Sequence, residues 1–125
     1  MSKLIFFVDD DKMIINLLEY TFQSRQQYSV KSFLSGEACI EALDKEPDLI
    51  VLDHNLSGPG ENNMNGLQTL EKIKAIREDI PIIVLTGYGN DELLKRFMEK
   101  GAKRFLTKDD YFIDSLIESI DQVLN

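Results

Sequence analysis

The sequence predicts an α/β fold in which helices cover both faces of one doubly wound, five-stranded parallel sheet. Five short apolar runs alternate with five segments whose apolar residues recur at helical spacing, and no linker or repeat interrupts them. The first, third and fourth runs are apolar on both faces, which is typical of parallel strands covered by helices. Right-handed crossovers then leave an open sheet that binds ligands beyond the carboxyl ends of its strands.

The first half of the chain contains two strands and two helices. A continuous apolar strand is predicted over 3–8, and a weakly alternating strand, suited to a sheet edge, over 28–33. The helix between them, over 12–24, is expected to bury one stripe. That stripe consists of Met13, Ile14, Leu17, Leu18, Thr21 and Phe22. Ser35 can cap a second helix, which Pro47 stops.

The second half continues the alternation. Residues 48–53 form the third strand, and the fourth begins at Pro81, where the missing N–H is tolerated. The helix between them is marked by Leu67, Leu70, Ile73 and either Ile76 or Arg77. A short helix then ends at Gly101, a position that suits the left-handed conformation, and 103–107 form the fifth strand. The last helix is striped by Ile113, Leu116, Ile117, Ile120 and Leu124.

The composition excludes several classes of protein. The chain has 22 acidic against 14 basic residues, so it repels nucleic-acid phosphates and anionic membranes. A single cysteine, Cys39, allows neither an internal disulfide nor a zinc cluster, and is expected in the core. No apolar run approaches the ~20 residues that span a bilayer, and no secretory signal is visible. A single domain over 1–125 and a cytoplasmic location are expected.

Four of the strands end in polar side chains that can do chemistry. The first strand runs into Asp9-Asp10-Asp11 and the third into Asp53, while the fourth ends in Thr86 and the fifth in Lys108. The carboxyl ends of parallel strands meet at one edge of the sheet, so these side chains are expected to share a pocket. Each aspartate by itself is more simply a solvated residue or a helix cap, and Asp10 or Asp11 can cap the first helix. The occurrence of a reactive side chain at the end of each of four strands favours a functional site.

Three carboxylates in one cleft need a cation or must partly neutralise by taking up protons. Two unit charges ~4 Å apart repel by about 4 kcal/mol at an effective dielectric constant near 20. Carboxylate oxygens suit Mg²⁺ or Mn²⁺. A divalent metal, an ammonium group and a hydroxyl around one carboxylate can hold three phosphoryl oxygens, and that carboxylate can form an aspartyl phosphate.

At these residues the chain resembles the receiver domain of bacterial two-component response regulators. The matching segments are 6–11, 48–53, 81–87 and 101–108, and the similarity covers essentially the whole chain. The resemblance implies a flavodoxin-like strand order, 2-1-3-4-5. It also implies that Asp53 is the phosphoacceptor and that Asp9 and Asp10 hold Mg²⁺, one of them through water. Asn55 is expected to add its backbone carbonyl to the metal.

The resemblance further implies a switch. Thr86 is expected to bond a phosphoryl oxygen once Asp53 is modified, and Lys108 to pair with the phosphoryl group. Phe105 matches the aromatic residue that changes rotamer between inactive and active states, although a plain core strand residue is an equal alternative. Phosphorylation adds about −1.5 to −2 charges. The surface formed by the fourth helix, the fifth strand and the fifth helix is expected to change by a population shift.

The expected function is therefore that of a phosphoacceptor signalling module. It is expected to accept a phosphoryl group from a histidine kinase or phosphotransfer protein, and not to act as an enzyme beyond slow self-phosphorylation and self-dephosphorylation. A downstream protein or an output domain is expected to recognise the switched surface, and the module to be a monomer or a weak phosphorylation-dependent dimer. Two alternatives are an aspartate-dependent phosphohydrolase and a pseudo-receiver that binds partners without phosphorylation.

The chain departs from the family pattern at two places. The stretch between Asp53 and Gly66 is long, and its extra residues, 57–63, are either a tolerated insertion or a flap that tunes kinase access or phosphate lifetime. Asp109 follows Lys108 where the family usually has a proline, so a trans peptide bond is expected there, and Asp109 can compete for Lys108. His54 can gate the site or shuttle protons, but an exposed loop histidine is the simpler expectation.

Overall fold

The computed structural model describes residues 2–56, 64–87 and 91–125, which form a five-stranded parallel sheet with helices on both faces. The strands are β1 (Lys3–Val8), β2 (Tyr28–Phe33), β3 (Leu49–Asp53), β4 (Ile82–Thr86) and β5 (Arg104–Thr107). The helices are α1 (Lys12–Gln23), α2 (Gly36–Glu41), α3 (Gly66–Ile76), α4 (Asp91–Glu99) and α5 (Phe112–Leu124), with a 3₁₀ turn at Leu43–Lys45. The spatial order is β2-β1-β3-β4-β5, so the predicted fold class and strand order are confirmed.

The two faces of the sheet belong to two separate cores. Along β1, Phe6 and Val8 contribute to the core under α2, α3 and α4, whereas Ile5 and Phe7 contribute to the core under α1 and α5. Every residue of β3 and β4 is buried. Each large apolar side chain buried in this way stabilises the fold by about 1.5–3 kcal/mol. The central strands are therefore rigid supports for whatever follows their carboxyl ends.

Local hydrogen bonds place the helix ends where the sequence indicated. Ser35 caps α2 by accepting from the backbone N–H of Ala38 at 3.2 Å. Gly101 has φ of 109° and follows α4, and the N–H of Ala102 donates to the carbonyl of Phe97 at 3.0 Å, which closes a Schellman motif. In the described part of the chain, no helix has both the length and the apolar character needed to cross a membrane.

The buried face of α1 differs from the predicted stripe. The structure buries Ile15, Leu18 and Phe22, whereas Met13 is 80% exposed and Leu17 is 41% exposed. Leu18 and Phe22 are common to both stripes, and Ile15 is buried beside them in place of Met13 and Leu17. The Phe22 ring packs 5.4 Å from that of Phe7 and 5.9 Å from that of Tyr28. Two apolar stripes overlap on this helix, and only packing against the sheet selects between them.

Candidate phosphoacceptor site

The sheet brings the four strand ends to one edge. Asp9 directly follows β1, and Asp53 and Thr86 are the last residues of β3 and β4. Lys108 follows β5, and its backbone N–H donates to the carbonyl of Thr86 at 2.7 Å. Since β1, β3, β4 and β5 are consecutive neighbours in the sheet, these residues form a row. The shared pocket expected from the sequence is present.

Lys108 connects two buried carboxylates within this row. Asp9 is 2% exposed and Asp53 is 4% exposed. The Lys108 Nζ donates to Asp9 Oδ2 at 2.9 Å and to Asp53 Oδ1 at 3.2 Å. Leaving such buried charges without a partner is strongly destabilising. One ammonium group therefore orients and partly neutralises two acids that lie on different strands.

The protonation of the site follows from burial and charge. Burial raises the pKa of Asp9 to about 6, the negative charge of Asp53 adds to this rise, and the Asp11 N–H and the Lys108 ammonium oppose it. Burial acts to lower the pKa of Lys108, but its hydrogen bond to Asp9 and the charges of Asp53 and Asp9 outweigh burial and raise it. Lys108 is therefore charged at neutral pH.

The acidic residues fit a divalent cation. Asp9, Asp10 and Asp53 each offer a carboxylate oxygen, and these atoms lie within 4.8 Å of one another. Three carboxylates less one ammonium leave two negative charges, which a divalent ion balances. Oxygen ligands of this kind suit Mg²⁺ and Mn²⁺. Asp10 is exposed, so solvent reaches the open side of the cluster. Asn55 is also exposed and follows Asp53 by two residues.

Asp11, in contrast, is engaged in local structure. Its carboxylate accepts from the backbone N–H of Met13 at 2.9 Å and caps α1. The backbone N–H of Asp11 in turn donates to Asp9 Oδ1 at 2.9 Å. Of the two aspartates that could cap α1, Asp11 is thus the actual cap, and Asp10 belongs to the acidic cluster.

Thr86 is buried and bonded to the only histidine of the chain. Its Oγ1 lies 3.1 Å from the Nδ1 of His54, and its residue is 0% exposed. The His54 ring is half-buried and meets the ring of Phe97 edge-on, with centroids 6.0 Å apart. Burial, and then the charge of Lys108, lower the pKa of His54. The expectation of an exposed loop histidine was wrong.

His54 is half-buried because of the hydrogen bonding of the backbone that follows β3. The His54 N–H donates to the carbonyl of Leu85 at 2.8 Å, so the ladder to β4 continues one residue beyond Asp53. His54 is thereby held against Thr86 and α4. The sequence contained one usable signal for this position, since His54 comes directly after Asp53, the residue that ends a strand whose preceding residues, 49–52, are all apolar.

Gly66 supports the same segment from behind, a role that the sequence did not reveal. A Cβ at this position would lie 2.5 Å from the carbonyl oxygen of His54 and 2.7 Å from that of Asp53. Its N–H also donates to the carbonyl of His54 at 3.2 Å. The N-terminus of α3, capped by Asn65, therefore approaches the end of β3 as closely as only glycine allows.

Phe105 lies on β5, half-buried, at the edge of the core under α4. Its ring centroid is 5.8 Å from that of Phe97, with the ring planes tilted by 43°. Phe97 is 1% exposed, so Phe105 contacts it on the side that faces the core. The position is compatible both with a core residue and with a ring that exchanges between inward and outward rotamers.

The remaining departures from the family pattern are local. The Lys108–Asp109 peptide is trans, as expected. Asp109 was expected to be able to compete for Lys108, but its carboxylate accepts from the backbone N–H of Tyr111 at 2.9 Å, just before α5. The insertion 57–63, which includes Ser57 and Pro59, lies outside the described residues.

The chain has clear relatives among known proteins. Residues 5–121 match the family model for the response regulator receiver domain. Over 125 residues the chain is 30% identical to sporulation initiation phosphotransferase F of Bacillus subtilis (strain 168), covering 99% of this chain and 95% of that protein. The transcriptional regulatory protein YdfI of the same organism is 32% identical over 111 residues, which are 87% of this chain and 49% of YdfI.

A solved receiver-domain structure is similar to this chain in both fold and sequence. The BeF3-activated DrrB receiver domain superposes with a TM-score of 0.83 at 30% identity, covering 99% of this chain and 98% of that one. The expected fold and the expected resemblance are thus confirmed, and the phosphohydrolase and pseudo-receiver alternatives are not favoured. The chain belongs to the response regulator receiver domains, the signalling modules of two-component systems.

Proposed function

We propose that Asp53 is the phosphoacceptor of this receiver domain and that Asp9 and Asp10, with the backbone carbonyl of Asn55, hold Mg²⁺ beside it. The observation that carries the proposal is the environment of the Asp53 carboxylate. It is 4% exposed, it accepts from Lys108 at 3.2 Å, and it belongs to a three-carboxylate cluster. A carboxylate that is buried, aligned and opposite an ammonium group is well placed to attack phosphorus.

The transfer needs positioning more than acid–base chemistry. A bond forms between an Asp53 oxygen and phosphorus while the bond from phosphorus to the donor's leaving nitrogen breaks. Lys108 neutralises charge on the phosphoryl oxygens, and Asp9 orients Lys108 at 2.9 Å. When bound, Mg²⁺ supplies further neutralisation of those oxygens. Mn²⁺ fits the same oxygen ligands.

The new phosphoryl group then drives the switch. It carries strong acceptors, and the Thr86 hydroxyl, at the neighbouring strand end, donates to one of them. The space that Thr86 vacates admits the ring of Phe105 from β5. The surface of α4, β5 and α5 changes as a result, and a downstream protein or output domain reads that change.

The phosphodonor is a histidine kinase or a phosphotransfer protein, and α1 offers it a docking surface. Met13, Leu17 and Tyr20 form an exposed apolar stripe on α1, with Met13 80% and Tyr20 77% exposed. This α1 stripe begins two residues after Asp11, which lies beside the acidic cluster. A donor helix packed on the stripe can present its phosphohistidine to Asp53.

The module is not a general enzyme in this proposal. It transfers one phosphoryl group to itself and loses it slowly, acts in the cytoplasm, contacts neither nucleic acid nor membrane directly, and is a monomer or a weak phosphorylation-dependent dimer. Its 22 acidic residues against 14 basic ones support the absence of direct nucleic-acid contact.

Incubation with Mg²⁺ and acetyl phosphate, read by intact-protein mass spectrometry, tests the proposal. We expect a gain of one phosphoryl group that requires Mg²⁺ and is lost in Asp53→Asn. Asp79→Asn, which changes an exposed aspartate that pairs with Arg77 remote from the cluster, is the matched control and should behave as the unaltered protein. Repeated turnover of phosphate esters would indicate a phosphohydrolase, and no gain with any donor would indicate a pseudo-receiver.

A further inference from the structure

The buried hydroxyl of Thr86 lies within hydrogen-bond distance of the ring of His54. Thr86 Oγ1 and His54 Nδ1 are 3.1 Å apart, a normal distance for such a bond. Thr86 is 0% exposed, and His54 is fixed by its own backbone bond to Leu85 at 2.8 Å. The pair is therefore held by two neighbouring strands.

The chemistry of the pair creates a competition. A threonine hydroxyl has one hydrogen to donate, and a neutral imidazole has one nitrogen that accepts. If the hydrogen is donated to His54 Nδ1, it is not available to a phosphoryl oxygen on Asp53. The bond to His54 must then break before Thr86 can take part in the switch.

We propose that His54 is a positioning residue that holds Thr86 in the unmodified state by accepting its hydroxyl hydrogen at Nδ1, and so opposes activation. This inference rests on the proposed role of Asp53 and deepens it. Phosphorylation withdraws Thr86 from His54, so part of the free energy of phosphoryl binding is spent on breaking this bond.

The contacts of His54 extend its influence towards the switched surface. Its ring meets Phe97 of α4 edge-on at 6.0 Å, and Phe97 in turn packs 5.8 Å from Phe105 of β5. The ring of His54 is thus in contact with the helix that the switch displaces. When Thr86 is released, the His54 ring can move together with Phe97. This packing contact couples the end of β3 to α4.

Two substitutions separate the hydrogen bond from the packing. His54→Leu keeps an apolar contact with Phe97 but removes the acceptor, whereas His54→Asn keeps a polar atom near the position of Nδ1 but removes the ring. The readout is the affinity of the Mg²⁺-loaded protein for beryllofluoride, a phosphoryl mimic, measured by calorimetry at one fixed pH. We expect His54→Leu to bind about fivefold more tightly, the factor expected for one neutral hydrogen bond. His54→Asn should return the affinity towards that of the unaltered protein.

A double-mutant cycle with Thr86→Val shows whether His54 acts through Thr86. We expect His54→Leu to have no effect on beryllofluoride affinity in the Thr86→Val background. A tighter affinity in both backgrounds would mean that packing alone is responsible and would overturn the inference, as would an unchanged or weaker affinity of His54→Leu. If the unaltered protein does not bind beryllofluoride at all, the proposed phosphoacceptor function fails instead.

Nitrogen NMR on the unaltered, tag-free protein gives a test that needs no variant. The chain has a single histidine, so its ring nitrogen signals are assigned without ambiguity. We expect Nδ1 to be unprotonated and hydrogen-bonded in the free protein and its resonance to shift when beryllofluoride binds. A protonated Nδ1 in the free protein, or a resonance that does not respond to beryllofluoride, would contradict the proposal.

Discussion

Lys108 donates to the Asp53 carboxylate at 3.2 Å although 55 residues separate them in the chain. The contact exists because β4 and β5 carry Lys108 to the strand end at which β3 deposits Asp53. The same ammonium group donates to Asp9 at 2.9 Å, so one lysine joins both buried acids of the cluster. The three side chains form a charged unit whose stability and chemistry should respond together.

Lys108→Met should destabilise the metal-free protein by about 1–3 kcal/mol, because two buried carboxylates lose their cation. The loss is smaller than for a fully buried ion pair, since a carboxyl group that loses its cation can take up a proton instead. Urea unfolding at pH 7 in the presence of a chelator measures the loss. Lys103→Met, at an exposed position just before β5, is the matched control and should change stability little. Equal stabilities of the two variants would contradict the prediction.

Asp9→Asn should stabilise the metal-free protein at pH 7 by about 1–3 kcal/mol. The folded protein raises the pKa of Asp9 from 3.8 to about 6, so it binds more protons at this group than the unfolded chain does between those values. The contribution of Asp9 to stability therefore falls as pH rises from about 4 to about 6. Unfolding curves collected across this range should show a flatter pH dependence for Asp9→Asn. The same pH dependence of the unfolding free energy in both proteins would contradict the raised pKa of Asp9.

Mg²⁺ should raise the thermal midpoint of the unaltered protein in a concentration-dependent manner, because the ion binds only the folded cluster. Asp10→Asn should weaken this response while leaving the metal-free midpoint close to that of the unaltered protein, since Asp10 is exposed. Asp44→Asn changes an exposed aspartate near α2 and provides the control. A full Mg²⁺ response in Asp10→Asn would remove Asp10 from the proposed metal site.

Gly66→Ala should cost about 1–3 kcal/mol of stability and slow phosphorylation of Asp53. The added Cβ would lie 2.5 Å from the carbonyl oxygen of His54, so the end of β3 or the start of α3 must move. Gly87→Ala is the stability control, because a Cβ there meets nothing within 4 Å. Both variants can be compared by chemical unfolding. If the two variants prove equally stable, a Cβ at Gly66 is tolerated and the prediction is wrong.

Much of the site could be predicted from the sequence because strand ends in a parallel sheet follow a simple rule. Each apolar run locates a strand, and the residue that ends the run must lie at the carboxyl edge. Asp9, Asp53, Thr86 and Lys108 were found in this way, without any knowledge of distances. The helix ends at Ser35 and Gly101 followed from capping preferences, which are equally local.

The contacts that surround this row could not be predicted, since they depend on how elements pack. Met13 and Leu17 are apolar like Ile15, and only the packing of α1 against the sheet buries Ile15 and turns the other two outward. His54 could have been an exposed loop residue until the bond to Leu85 fixed its backbone.

The sequence by itself therefore determined which residues place a carboxylate, a hydroxyl or an ammonium group at the strand ends. It also determined that these groups lie at the carboxyl edge of the sheet. Tertiary structure alone decided which of them touch: that Lys108 joins Asp9 to Asp53, that Thr86 lies 3.1 Å from His54, and that a side chain at Gly66 would collide with the end of β3. The physical reason is the range of the interactions. Periodicity and capping act over a few residues, whereas burial, ion pairing and close packing act between residues that the fold brings together.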